Sequence, residues 1–204
     1  MTNFDLAAAG WDANSIHGER SQAIANDIKT ILPIDKNWRV LEYGAGTGIL
    51  SFMLKDDVKE IVMMDSSEEM VKVMQQKVAD SNATNLHPTL FNMEKDDFAG
   101  EKADLVATQM VLHHVVKIES LLEKFCALLN AGGYIAIADL YTEDGSFHGK
   151  GFDGHNGFDP QEMEKMLVAA GFKNTQYKTC FVMNKPIENG EIKAFPVFFL
   201  TAQK

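Results

Sequence analysis

Apolar positions along this chain follow two periods in turn. Over residues 15–32, Ile16, Ile24, Ile28, Ile31 and Leu32 lie along one helical face until Pro33 stops the pattern, which predicts an amphipathic helix. Residues 39–43 then read as a short strand, and residues 47–54 open a helix directly behind a run of glycines. Residues 60–64 are a second strand ending at Asp65. Ser66 is the expected N-cap of the next helix, with Glu69 three residues on as the return half of a capping box, and Met70, Val73, Met74 and Val78 form its apolar face. Residues 87–91 and 103–109 are the third and fourth strands, the latter apolar throughout, as a strand covered on both faces should be. A helix over residues 119–129, closed by Gly132-Gly133, leads to a fifth strand at 134–139.

The alternation breaks over residues 140–159, which hold five glycines and two histidines and suit a binding loop better than a helix or central strand. A helix over 160–170 and two strands, 175–183 and 195–202, complete the chain; the Asn-Gly-containing connection over 184–193 suits a hairpin. The pattern predicts an α/β fold: a doubly wound, mostly parallel sheet of seven strands with an antiparallel edge hairpin. Ligands of such sheets bind at the carboxyl ends of the strands.

The segment Val40-Leu41-Glu42-Tyr43-Gly44-Ala45-Gly46-Thr47-Gly48 lies at such an end. Glycines allow a tight bend and close approach of backbone to ligand. The dinucleotide fingerprint requires a sixth-position glycine, where Ile49 stands. Glu42, two residues before Gly44, is expected at the mouth of the bend, where a carboxylate would repel a pyrophosphate and attract a cation. Asp65 is placed to hold ribose hydroxyls. A ligand with a ribose, no phosphate and a cationic amino acid portion fits, and S-adenosylmethionine has all three features.

These residues resemble the first motif of class I S-adenosylmethionine-dependent methyltransferases. Met64-Asp65 resembles the second motif, and Asn92-Met93 falls where the family often has Asp and an apolar residue around the adenine. DLVATQMVLHHV and LLNAGGYIAIAD resemble the segments around the fourth and fifth strands, and FDPQEMEKMLVAAGF a late helix. The resemblance implies a Rossmann-like methyltransferase fold as one domain over residues 1–204, with a helical cap at 1–36 and a substrate loop at 140–159. It implies S-adenosylmethionine as cofactor and S-adenosylhomocysteine as product. Glu42, Gly44, Ala45, Gly46 and Gly48 would hold the methionine portion, Asp65 the ribose, and Asn92 and Met93 the adenine, with Ser66 also in the cofactor site. Gln109 would lie near the sulfonium through its backbone.

Methyl transfer needs donor and acceptor held in line, and sometimes a base for the acceptor proton. His114, His113 and His155 are the candidate catalytic residues; His113 and His114 follow the fourth strand, and equally could only shape its turn. His148 could line the acceptor pocket. His148 and His155 with Asp139 and Asp153 match no metal-ligand spacing, so no metal is expected. Trp11, His17 and Arg20 either fold over the cofactor or belong to a capping helix without contact to it.

Composition narrows the acceptor. A formal net charge of -10 disfavours nucleic acid, and the Asn/Asp-Pro-Pro-aromatic motif of enzymes acting on amino groups of DNA or amide nitrogens of protein is replaced by Thr108-Gln109-Met110-Val111. Cys126 and Cys180 are too few for a thiolate cluster. No apolar run approaches the ~20 residues of a membrane span, and the Met1–Asp5 start lacks signal-peptide character, so a cytoplasmic location without membrane partners is expected. The expected activity is methyl transfer to O, N or C of an unidentified small molecule by in-line displacement. The rivals are an NAD(P)-dependent oxidoreductase, or a protein that binds the cofactor and transfers nothing.

Overall fold

Apolar strands alternating with amphipathic helices wind into one mixed sheet covered on both faces. The structure is a computed structural model that describes residues 3–204; the first two residues of the Met1–Asp5 start and of the expected cap lie outside the described residues. A short helix α1 (Asn3–Ala7) and a 3-10 stretch (Ala8–Ala13) precede α2 (Ser15–Ile31). Then follow β1 (Arg39–Tyr43), α3 (Ile49–Leu54), β2 (Glu60–Asp65), α4 (Glu68–Ser81) and β3 (Leu86–Leu90). The second half contains β4 (Ala103–Gln109), α5 (Ile118–Leu128), β5 (Leu129–Leu140), α6 (Pro160–Ala169), β6 (Lys173–Pro186) and β7 (Ile192–Gln203).

The sheet order is β3-β2-β1-β4-β5-β7-β6. β1 pairs in parallel with both β2 and β4, while β7 runs antiparallel to β5 and β6. The expected edge hairpin is present, with β7 inside and β6 at the margin. Having reached β3 at one edge, the chain returns to the middle as β4 beside β1. That reversal opens a crevice between the carboxyl ends of β1 and β4.

The side-chain period of two divides the core. Val40, Ile61, Met63, Leu105 and Ala107 face α2, α3 and α4 with Ile24, Ile28, Leu50 and Met74. Their neighbours Leu41, Val62, Met64 and Val106 face α5 and α6 with Leu122, Phe125, Met163 and Leu167. Burial of side chains such as Phe125, which is fully enclosed, contributes about 1.5–3 kcal/mol each. Among the described residues, no helix is long and apolar enough to cross a membrane.

Several boundaries differ from expectation. The helix expected from residue 47 begins at Ile49, because Gly48 at φ 81° still belongs to the bend. The N-cap of α4 is Ser67, not Ser66: Ser67 N–H donates to Asp65 Oδ1 at 2.8 Å, and Ser67 Oγ accepts from Met70 N–H at 3.2 Å. Asp65 thus shifts the cap by one residue. Gly132-Gly133 does not close α5. It lies inside β5, which starts at Leu129 opposite Ala103 and shifts register before Leu105 pairs with Tyr134.

Candidate functional site

The glycine bend leaves β1 in a conformation that side chains rarely adopt. Gly44, Gly46 and Gly48 have φ of 70°, 57° and 81°. Ala45 N–H donates to Met64 O at 2.9 Å and Gly46 N–H to Asp65 Oδ2 at 2.7 Å, so the bend is fastened to the end of β2. The Asp65 carboxylate therefore holds its own loop through one oxygen and the entry to α4 through the other. Burial raises its pKa, and the hydrogen bonds from Ser67, Gly46 and Ser66 oppose that.

Both features open on one cavity of about 890 Å³ at the crevice. Gly44, Ala45, Gly46, Asp65 and Ser66 form one wall, and Gln109, His113 and His114 stand across from them. Gln109 Oε1 accepts from Ser21 Oγ at 3.0 Å, which ties the end of β4 to α2. Other expected site residues lie outside the wall. Gly48 turns into α3; its position is closed by Met63 Sδ, 3.1 Å from where a Cβ would stand. Met93 is buried, and Asn92 turns its Oδ1 back to accept from Glu94 N–H at 2.9 Å. Glu94 takes their place in the cavity.

The N-terminal segment roofs this wall. Asp12 accepts the Thr47 hydroxyl through Oδ1, and its Oδ2 takes Lys77 Nζ at 2.7 Å. Asp5 Oδ1 accepts from Ser67 Oγ at 2.6 Å. Phe4 and Trp11 line the cavity, with Phe4 edge-on to His114 at 5.1 Å and Trp11 over His17 at 4.1 Å. The indole Nε1 stands 3.7 Å from where a Cβ of Gly46 would be.

Glu42 does not project from the entrance. It is buried beneath the bend, its Oε2 accepting the Ser51 hydroxyl in the first turn of α3. Its Oε1 has no hydrogen-bond partner among the described residues. Burial pushes its pKa up to about 7, against support from Ser51 and the nearby Gln109 amide. The carboxyl group is thus enclosed beneath the bend rather than exposed at its mouth. The raised value has a consequence for stability. The folded protein keeps this proton up to about pH 7, whereas the unfolded chain releases it near the ordinary 4.5. Its contribution is therefore fully present below pH 4.5 and is lost as pH rises through 7. Urea unfolding at pH 5 and pH 8.5 is expected to show wild type losing a few kcal/mol more than Glu42→Gln over this interval; equal losses would refute the buried-proton account.

Arg20, from α2, also lines the cavity and is 7% exposed. Its Nη1 reaches Met183 Sδ at 3.6 Å, and its Nε has no partner among the described residues. Burial lowers its pKa to about 10, opposed by Asp139 and Cys180. A buried guanidinium without a carboxylate on it is costly, and an anionic ligand would relieve that cost.

At the far end, His113 Nδ1 donates to Asp139 Oδ1 at 2.6 Å, with both residues buried. Asp139 Oδ1 also accepts Leu140 N–H at 2.8 Å. His114 and His148 have pKa values lowered to about 4, first by burial and then by neighbouring histidines. Both are neutral imidazoles at neutral pH. His155 lies outside the cavity wall: its Nε2 meets Val115 O at 3.0 Å, and its N–H donates to His113 O at 2.7 Å. It anchors the 140–159 loop onto the turn after β4.

Phe147, His148 and Phe152 reach the cavity from that loop, and Lys185 reaches it from β6. Lys185 Nζ donates to Phe147 O at 2.6 Å, and burial lowers its pKa. Of these four, His148 alone was weighed from sequence. The glycine density of the loop was the available signal for the aromatic pair, whereas nothing local distinguished Lys185 from a surface lysine of an edge strand.

Residues 16–177 match the family described as a methyltransferase domain. An uncharacterized methyltransferase of Schizosaccharomyces pombe is 28% identical over 153 residues, covering 67% of this chain and 54% of that relative. The chain thus spans about half the length of that curated relative. Among solved structures, a chain from a complex with the Haloferax volcanii Trm112 methyltransferase activator superposes with a TM-score of 0.77 at 16% identity, covering 100% of this chain and 98% of that one. Phosphoethanolamine N-methyltransferase 2 of Haemonchus contortus, solved with S-adenosyl-L-methionine, gives 0.73 at 15% identity, covering 91% and 52%.

Proposed function

Because the chain belongs to the methyltransferase-domain family, we propose that it transfers a methyl group from S-adenosylmethionine to a small-molecule acceptor. The observation that carries this reading is the joint opening onto one cavity of the glycine bend, Asp65 and the buried Arg20, whose Nε has no partner among the described residues. Asp65 is a carboxylate fixed by two backbone donors and suits a ribose diol. Arg20 suits the carboxylate of the methionine portion. Ser66 and Glu94 flank the nucleoside end, and Gln109 bounds the methionine end. When bound, the cofactor supplies a methyl group made electrophilic by its positively charged sulfur.

The remaining residues position and enclose. Phe4 and Trp11 exclude water above the bend, and the loop aromatics do so at the acceptor end. His113, oriented by Asp139, and His114 line the acceptor end of the cavity. Ile49, standing where the dinucleotide fingerprint requires a glycine, speaks against the nicotinamide alternative. A small molecule fits the cavity volume, and the net charge of -10 disfavours nucleic acid as acceptor.

Titration calorimetry with S-adenosylhomocysteine and with NADH tests the cofactor. Binding of the first alone is expected, and binding of NADH alone would reverse the assignment. Asp65→Ala is expected to weaken S-adenosylhomocysteine binding by about 10–150-fold, the range for hydrogen bonds to a charged group. Unchanged affinity would remove Asp65 from the ribose site. Formation of S-adenosylhomocysteine across an acceptor panel separates an enzyme from a protein that only binds the cofactor.

A further inference from the structure

Three imidazoles from two separate segments converge at the acceptor end of the cavity. His113 and His114 come from the turn after β4, and His148 from the loop after β5. One ring nitrogen of each lies within 4.8 Å of the other two. The ring centroids are 4.2 Å apart for His113–His114, 5.1 Å for His113–His148 and 5.2 Å for His114–His148. We propose that His113, His114 and His148 bind one divalent transition-metal ion of the zinc class, with at least one coordination position open to the cavity.

Four observations support the site. The first is spacing: with metal–nitrogen bonds of about 2.0–2.1 Å, each nitrogen needs to move inward by roughly an ångström or less. The second is the partner of His113. Its Nδ1–H donates to the buried Asp139 carboxylate at 2.6 Å, which fixes the tautomer and leaves Nε2 as a lone-pair donor. Carboxylates that orient ligating histidines in this way are a regular feature of metal sites. The third is that the approach of the two segments is built into the backbone. His155 N–H donates to His113 O, and a Cβ on Gly154 would lie 2.3 Å from that same oxygen. His148 is further held by stacking on Phe152, with centroids 3.8 Å apart and planes inclined by 19°. The fourth is donor chemistry: three imidazoles suit zinc, cobalt, nickel or copper, whereas magnesium and calcium prefer oxygen.

The sequence could not show this set. His113 and His114 are adjacent, too close to resemble a helical or loop ligand pair, and His148 lies far along the chain. An open position beside them would take water or an oxygen, nitrogen or sulfur atom of the acceptor. That role rests on the methyltransferase reading; binding of the metal does not.

The test uses the full chain, stripped with chelator and titrated with Co²⁺ and Zn²⁺. One equivalent is expected to bind, with Co²⁺ giving the visible absorption of a low-coordinate site. His148→Ala removes a loop ligand, and unchanged circular dichroism would show that its fold is kept. It is expected to lose at least tenfold in affinity, although His17, His87 and His155 remain. Asp139→Asn is expected to weaken binding by about 10–100-fold, as loss of a supporting carboxylate does elsewhere. Absence of saturable binding to wild type, or wild-type affinity in His148→Ala, would overturn the site. S-adenosylhomocysteine binding, measured separately, reports on the cofactor and leaves the metal titration independent. Retained metal binding without methyl transfer would therefore count against the enzyme reading alone.

Discussion

Arg20→Met is expected to bind S-adenosylhomocysteine about 10–150-fold more weakly than wild type, while the ligand-free protein becomes more stable. The two effects have one cause. The guanidinium is buried, its Nε is unpartnered among the described residues, and its Nη1 reaches a thioether. Its desolvation is offset only in part, by the charge of Asp139, until a carboxylate arrives. Hydrogen bonds to charged groups contribute about 1.5–3 kcal/mol, which sets the range for binding. Methionine keeps most of the apolar stem contacts and removes the buried charge, so ligand-free stability rises. A ligand without the amino acid portion, 5′-methylthioadenosine, is expected to bind wild type and variant alike. Calorimetry with the two ligands and thermal unfolding without either check all three statements. If S-adenosylhomocysteine affinity is unchanged, Arg20 does not hold the methionine carboxylate.

Gly44→Ala is expected to abolish measurable S-adenosylhomocysteine binding and to lower the melting temperature. At φ 70° the new residue would be strained, and its Cβ would lie 2.2 Å from Val111 Cγ2. Valine is branched at Cβ and has little freedom to swing away. The overlap would displace the turn after β4, which carries His113 and His114, so damage at the bend would spread across the cavity. Overpacking of this kind costs about 1–3 kcal/mol, and each kcal/mol corresponds to roughly 2–4 °C in a protein of this size. The Gly44→Ala/Val111→Ala double variant is expected to recover part of the lost stability, because the overlap goes while the strain remains. Additive losses in the double variant would show that the contact between bend and turn is not the cause.

The behaviour of Glu42 shows where reading a sequence falls short. Its place two residues before the bend was legible. Its direction was not. The residues on either side of it in β1 face α5 and α6, so the pleat sends Glu42 to the opposite face, under α3. There it is enclosed, and near neutral pH it is partly protonated rather than a fixed negative charge at an entrance. Ser66 and Ser67 teach a related lesson. Both are capping residue types, and Asp65, by accepting the Ser67 N–H, decides which one caps.

What the sequence determined by itself was local or periodic. Strand and helix periods specified the alternation and hence the doubly wound class, and the glycine bend at residues 44–48 with Asp65 after the second strand marked a candidate cofactor site. Each of these depends on neighbours within a few residues, where backbone sterics and the two periods act. The tertiary structure alone decided that Arg20 is buried without a carboxylate, that Glu94 rather than Asn92 reaches the cavity, and that His148 stands beside His113 and His114 while His155 serves as an anchor. Those outcomes depend on which segments the strand order β3-β2-β1-β4-β5-β7-β6 brings side by side. Contacts between distant segments leave no period in the chain, because they are set by packing and desolvation across the whole sheet.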